Sequence, residues 1–258
     1  MISASASQRL LWAVVPPAII LAVIVVCWQG AVALFNVPRW LLPAPTDIVE
    51  RFFRTQNLWY HTGLTVWEAV LGFGISACLG IAVAAGIVHS RFLESGIFPF
   101  IVVSNAIPIV AVVPLLTIWF GFGLLPKVLI CAIISFFPIV TNATRGFESA
   151  DRRVLEFMRS INARPHQVFF KVQLPGALPF IFAGFKIAAS LALVGAVVAE
   201  FYSSDRGLGY LVITSATELR TDLLFVAVAV LAGLGVASFV IFGKLERLAL
   251  RGESADMP

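Results

Sequence analysis

Residues 11–35 read LWAVVPPAIILAVIVVCWQGAVALF, with no charge anywhere in the run. About 20 such residues form a helix long enough to cross the ~30 Å hydrocarbon core of a bilayer. A cleaved leader carries an apolar core of only about 7–15 residues. No small-x-small cleavage pattern follows this run, so it reads as a retained span. Pro16 and Pro17 fall early in it, where proline starts or kinks a helix.

The rest of the chain is of the same kind. Of 258 residues, 60% are apolar and 12% charged, with a mean hydropathy of +0.97. Soluble domains run near 45–50% apolar and about 25% charged. One core of this size cannot hide so much apolar surface from water. A soluble enzyme, a disordered chain and a disulfide scaffold are thereby excluded. Cys27, Cys78 and Cys131 lie inside apolar runs with no metal-ligand spacing. They read as small buried hydrophobes, and no metal site is expected.

Five further spans follow, at about 62–88, 97–120, 125–144, 177–201 and 222–243. Each must satisfy its backbone internally, which a helix does. The alternating pattern of a β-barrel is absent. The expectation is an all-α polytopic membrane protein: six transmembrane helices in a single domain over residues 1–258. An even number of spans puts both termini on one side. That side, with the loops near 89–96 and 145–175, carries eleven Lys and Arg residues. The other carries six, Lys127 among them, and Lys186 lies within a span. The positive-inside rule makes both termini cytoplasmic. The net charge of +4 is therefore topological, and no nucleic-acid partner is expected.

Small residues four apart let membrane helices approach closely. Gly72, Ser76, Gly80 and Ala84 form such a stripe in the second span. Ala188, Ala192 and Ala196 form one in the fifth, and Ala229, Gly233 and Ala237 one in the sixth. The third span contains Pro108 and Pro114, with Asn105 just before the first, and reads as one kinked helix.

Between the fourth and fifth spans lies the least membrane-like stretch, Arg145 to Pro175. Val154, Leu155, Met158 and Ile161 recur at helical spacing among Arg152, Arg153, Glu156, Arg159 and Ser160. Asn162 suits the left-handed turn that ends a helix, and Pro165 the first turn of a second. Leu174-Pro175 is expected to stop that second helix before the fifth span. The pair makes either a knob for another protein's groove or a helix held on the membrane surface.

The stretch Glu156 to Pro175 resembles the EAA loop of bacterial ABC-importer permeases: E-A-A, three residues, G, nine residues, I-x-L-P. Glu156 stands at the Glu, while Phe157 and Met158 replace the two Ala. Asn162 replaces the Gly and Val172 the Ile, and Leu174 and Pro175 match in register. Flanking blocks resemble the same family: LPAPTD at Leu42–Asp47, GF at Gly72-Phe73 and PLLTIWFGFG at Pro114–Gly123. So do AEF at Ala199–Phe201 and RGLGYL at Arg206–Leu211. The resemblance covers residues 40–248 or so. It is to the branch importing nitrate, sulfonates, taurine and thiamine-precursor pyrimidines.

That resemblance implies a permease domain working as a pair, most simply a homodimer. A partner ATPase subunit would bind ATP and Mg, and a substrate-binding protein would deliver solute from outside. This chain has no G-x-x-x-x-G-K-[S/T], so it is expected to bind no cofactor itself and to be no enzyme. By position in the motif, ATPase coupling falls to Arg153, Glu156, Ser160, Asn162, Ala163, Arg164, Leu174 and Pro175. Substrate-path candidates are the ionisable Glu68, Lys186 and Glu200 and the neutral Asn105, Ser135, Thr141 and Asn142. Glu200, at the outer end of the fifth span, is placed to meet the binding protein. His61, His89 and His166 read as solvated loop residues, with no catalytic cluster around them. The alternative is an ion-coupled secondary transporter or channel needing no ATPase. Such a protein uses paired intramembrane charges, and none is expected here, since Glu68 and Lys186, the two charges well inside spans, lie toward opposite sides.

Overall fold

A computed structural model describes residues 6–253. The described residues are helical with no strand. In chain order the helices are α1 (Ala6–Leu34), α2 (Pro45–Arg54), α3 (Leu58–His89), α4 (Arg91–Ala106), α5 (Ile109–Phe120) and α6 (Leu124–Glu148). Then come α7 (Arg152–Ser160), α8 (Pro165–Val168), α9 (Leu174–Ser203), α10 (Leu208–Thr217) and α11 (Thr221–Glu253). Among the described residues five runs are long and apolar enough to cross a membrane: Val15–Leu34, Leu58–His89, Leu124–Glu148, Pro165–Ser203 and Thr221–Leu250.

The expected third span is two helices. Pro108 has no N–H and biases Ile107 away from helical geometry, so the run breaks there instead of kinking. Pro114 is absorbed inside α5.

The stop expected at Leu174-Pro175 is also absent. A π-turn, Phe169–Gln173, joins α8 to α9, and the Leu174 N–H bonds the Phe169 carbonyl. Pro175 has no N–H for the carbonyl four residues back, and the wider turn accommodates that loss. The helix therefore runs on from Pro165 to Ser203.

The described chain divides into two compact units. One holds the chain up to residue 57 with residues 211–229; the other holds residues 58–210 with the chain from 230 onward. In the second unit, α3, α6 and α9 pack around a small-residue core. Gly72, Ser76, Gly80 and Ala84 are all buried on α3. A Cβ on Gly72 would sit 2.3 Å from Cys131 Cβ and 2.8 Å from the Val128 carbonyl. Ser76 donates to the Ala132 carbonyl at 2.5 Å. Ala188, Ala192 and Ala196 bury the matching face of α9. We expect Gly72→Val to force α3 and α6 apart at a cost of about 1–3 kcal/mol. A chemical unfolding curve in detergent checks this, and an unchanged midpoint would count against the seam.

The third small-residue stripe differs. Ala229, Gly233 and Ala237 are exposed on α11. Cys131 is buried as expected, but Cys27 and Cys78 are exposed. Lipid-facing positions are apolar for the bilayer's sake and need no protein cover.

Candidate functional site

The loop between α6 and α9 is built from local signals. Asp151 caps α7, its Oδ1 accepting the Arg153 N–H at 2.9 Å. No residue of α7 is buried. Val154, Phe157 and Ile161 are exposed, while Leu155 and Met158 are half-buried. The helix ends in a Schellman turn: Asn162 N–H bonds the Arg159 carbonyl and Ala163 N–H the Met158 carbonyl, each at 3.0 Å. Asn162 occupies the left-handed position with φ 54°, as its side chain permits. Pro165 then opens α8, and Gln167 Oε1 accepts the Arg164 N–H at 2.8 Å.

Among the residues predicted for coupling, Arg153, Glu156, Ser160, Asn162 and Arg164 are exposed on α7 or the turn after it. Ala163 is half-buried there. Leu174 and Pro175 sit beyond the π-turn, in the first turn of α9. The first six therefore form one surface element, and the last two belong to the helix that carries it. That element combines exposed apolar side chains with Arg152, Arg153, Arg159 and Arg164.

A second polar cluster lies inside the helix bundle. Lys127, one turn into α6, is buried and donates to Glu68 Oε1 of α3 at 2.7 Å and to Ser204 Oγ at 2.8 Å. The sequence reading counted it with the outer-side charges at the edge of the fourth span and expected no paired intramembrane charge; the structure instead buries it in an ion pair. Glu200 of α9 is fully buried, so within this chain it presents nothing to a binding protein. Its Oε1 accepts from Thr65 Oγ1 at 2.7 Å and its Oε2 from Gly209 N–H at 2.6 Å. Thr65 Oγ1 also accepts the Leu208 N–H at 2.8 Å, and His61 Nδ1 accepts the Gly207 N–H at 2.9 Å.

Three successive backbone N–H groups at the start of α10 are thus held by side chains of α3 and α9. Helix N-terminal donors have no partner in their own helix, and these find theirs outside it. Gly207 has φ 108°, and a Cβ there would fall 2.1 Å from Glu200 Oε1, so only glycine fits.

The remaining candidates are scattered. Ser135 is buried and donates to Ser76 Oγ at 3.0 Å. Thr141 and Asn142 donate to their own helix's carbonyls at Phe137 and Pro138. Thr141 also borders a cavity of about 180 Å³ with Glu94, Thr144, Arg145 and Glu148. Lys186 pairs with Glu246 of α11 and lies 5.6 Å from the Phe239 ring centroid. The side chain of Asn105 lies outside the described residues. His61 and His89 stand on α3 and His166 on α8, not on loops. Sequence reasoning missed Lys127, Thr65 and His61. One signal was available: a lone acid in the second apolar span and a lone base of opposite sign in the fourth.

Comparison with known proteins places the chain. Residues 76–250 match the family of binding-protein-dependent transport system inner membrane components. The chain belongs to this family. It is similar to the riboflavin transport system permease protein RibX of Chloroflexus aurantiacus, at 36% identity over 96% of this chain and 94% of that one. It is similar to the formylaminopyrimidine transport permease protein ThiX of Halalkalibacterium halodurans, at 30% identity over 91% and 94%. Similarity to the Escherichia coli taurine transport system permease protein TauC is 29% over 82% and 80%. In fold it resembles a chain of the MetNI methionine ABC transporter in an inward-facing conformation: TM-score 0.64 at 15% identity, over 76% of this chain and 99% of that one.

This binding-protein-dependent permease is therefore a multi-pass inner-membrane subunit of an ABC importer for a small solute. It is not an enzyme. Its family implies an ATPase on a separate subunit and a substrate-binding protein.

Proposed function

We propose that two identical copies of this chain form the translocation pathway for a small heteroaromatic, vitamin-like solute. Each copy is a single permease domain with both termini in the cytoplasm, the side favoured by the Lys and Arg bias. ATP and Mg are bound by the ATPase partner. Arg153, Glu156, Ser160, Asn162, Ala163 and Arg164 form the surface that seats in that partner. Leu174 and Pro175 pass its movement into α9.

One observation carries the solute class. The two lysines that the chain buries or half-buries, Lys127 and Lys186, are each already matched to a glutamate. A fixed cation for nitrate or a sulfonate would need one of them free. RibX and ThiX, named for riboflavin and a formylaminopyrimidine, point the same way.

Uptake into proteoliposomes tests the reading, with this chain assembled with its ATPase and binding protein. ATP-dependent accumulation of riboflavin or formylaminopyrimidine is expected, with nitrate and taurine left outside. Accumulation of either anion or sulfonate in preference would overturn the solute class.

A further inference from the structure

We infer that α2 is an in-plane helix that binds the lipid headgroup–acyl boundary through one apolar face. Its ten residues segregate by angle around the axis. Asp47, Glu50, Arg51 and Arg54 fall within one arc of about 100°, and Ile48, Val49, Phe52 and Phe53 occupy the opposite side. The polar arc is ion-paired: Arg39 pairs with Asp47 at 3.1 Å, Arg51 approaches Asp222 at 3.6 Å, and within the helix Arg54 pairs with Glu50 at 2.7 Å. On the apolar arc Ile48 and Phe52 are half-buried, while Val49 and Phe53 stand open. Val49 is 58% and Phe53 80% exposed, and no residue of the helix is buried.

Two contacts fix the depth of this face. Thr46 N–H reaches Gln29 Oε1 at 3.3 Å, five residues before the end of the first span at Leu34. Asp222, on the opposite flank, is the second residue of the span that starts at Thr221. Thr221 itself bonds the Trp40 carbonyl. The α2 segment thus touches the end of one span and the beginning of another, at the level where hydrocarbon gives way to water. Trp40, 56% exposed just before it, is a residue type that prefers this level. At that depth an uncovered Val–Phe face meets acyl chains, and the charged face meets headgroups and water. The partner is the bilayer itself.

Site-directed spin labelling of the full chain in phosphatidylethanolamine–phosphatidylglycerol vesicles tests this. Cys27, Cys78 and Cys131 are first changed to Ala, and single labels are then placed by Phe53→Cys and by Glu50→Cys. The label at 53 should be several-fold more accessible to oxygen than to a water-soluble nickel chelate, with the ratio reversed at 50. Equal nickel access at both positions would mean a solvated helix and overturn the inference. A label at 53 shielded from both reagents would mean a protein surface covers the face, a second copy included, and would overturn it equally. Val49→Cys gives the same reading should Phe53→Cys fail to elute as the parent does.

Discussion

Replacing Lys127 by Met is expected to destabilise the permease by about 3–5 kcal/mol, the usual consequence of removing one partner of a buried ion pair. The pair is well shielded: 10% of the Lys127 side chain and 4% of Glu68 are exposed. Among the described residues no donor reaches Glu68 Oε2, so losing the ammonium removes the positive charge that compensates this buried carboxylate. Ser204 would lose one of its two donors in the same step, keeping the Arg206 N–H, and with it one tie on the turn leading to Gly207.

The double variant Glu68→Leu/Lys127→Met should recover most of the loss, because apolar replacements of similar size cost little where no charge is stranded. The two single changes share one interaction, so their effects should fall well short of additive. Unfolding in mixed detergent micelles, followed by helix signal, measures all three. A Lys127→Met variant within about 0.5 kcal/mol of the parent, the scatter of a neutral surface change, would contradict the assigned role.

That ion pair also marks where local reading ends. The Arg-rich amphipathic helix at 152–160, the left-handed Asn162 and the Pro165 start are all encoded within a few residues, and each appears in the structure as read, whereas the apolar run at 97–120 divides into two helices. The environment of Lys127 is set by Glu68, 59 positions away, and by Ser204, 77 positions away. Charge counting along the chain placed it at the edge of the fourth span and on the outer side, because position alone cannot show a partner.

Small-residue stripes have the same limit. The stripe on α3 finds α6, whereas an equivalent one on α11 is left exposed. Pro108 and Pro175 show a third form of it. Both remove a donor, yet one breaks its helix and the other is carried through by a π-turn. Their sequence signals are alike, and the backbone outcomes differ.

The second large effect is expected at Asn162. Proline fixes φ near −65°, whereas Asn162 sits at 54°. Proline also has no N–H to give the Arg159 carbonyl, a bond that helps close the turn. Asn162→Pro must therefore rebuild the angle between α7 and α8. The change lies on an exposed turn and buries nothing, so folding and membrane insertion should survive it. Asn162→Gly keeps the left-handed geometry and should behave as the parent. A defect specific to proline is thus a defect of shape, not of the lost amide.

The most direct test measures ATP hydrolysis and solute uptake together, on the transporter assembled from this chain, its ATPase and its binding protein in proteoliposomes. If the α7–α8 turn conveys the work of ATP to the spans, Asn162→Pro will abolish uptake. It will also abolish the stimulation of hydrolysis by loaded binding protein, while Asn162→Gly retains both. Full substrate-stimulated hydrolysis and uptake in the Asn162→Pro assembly would contradict the account.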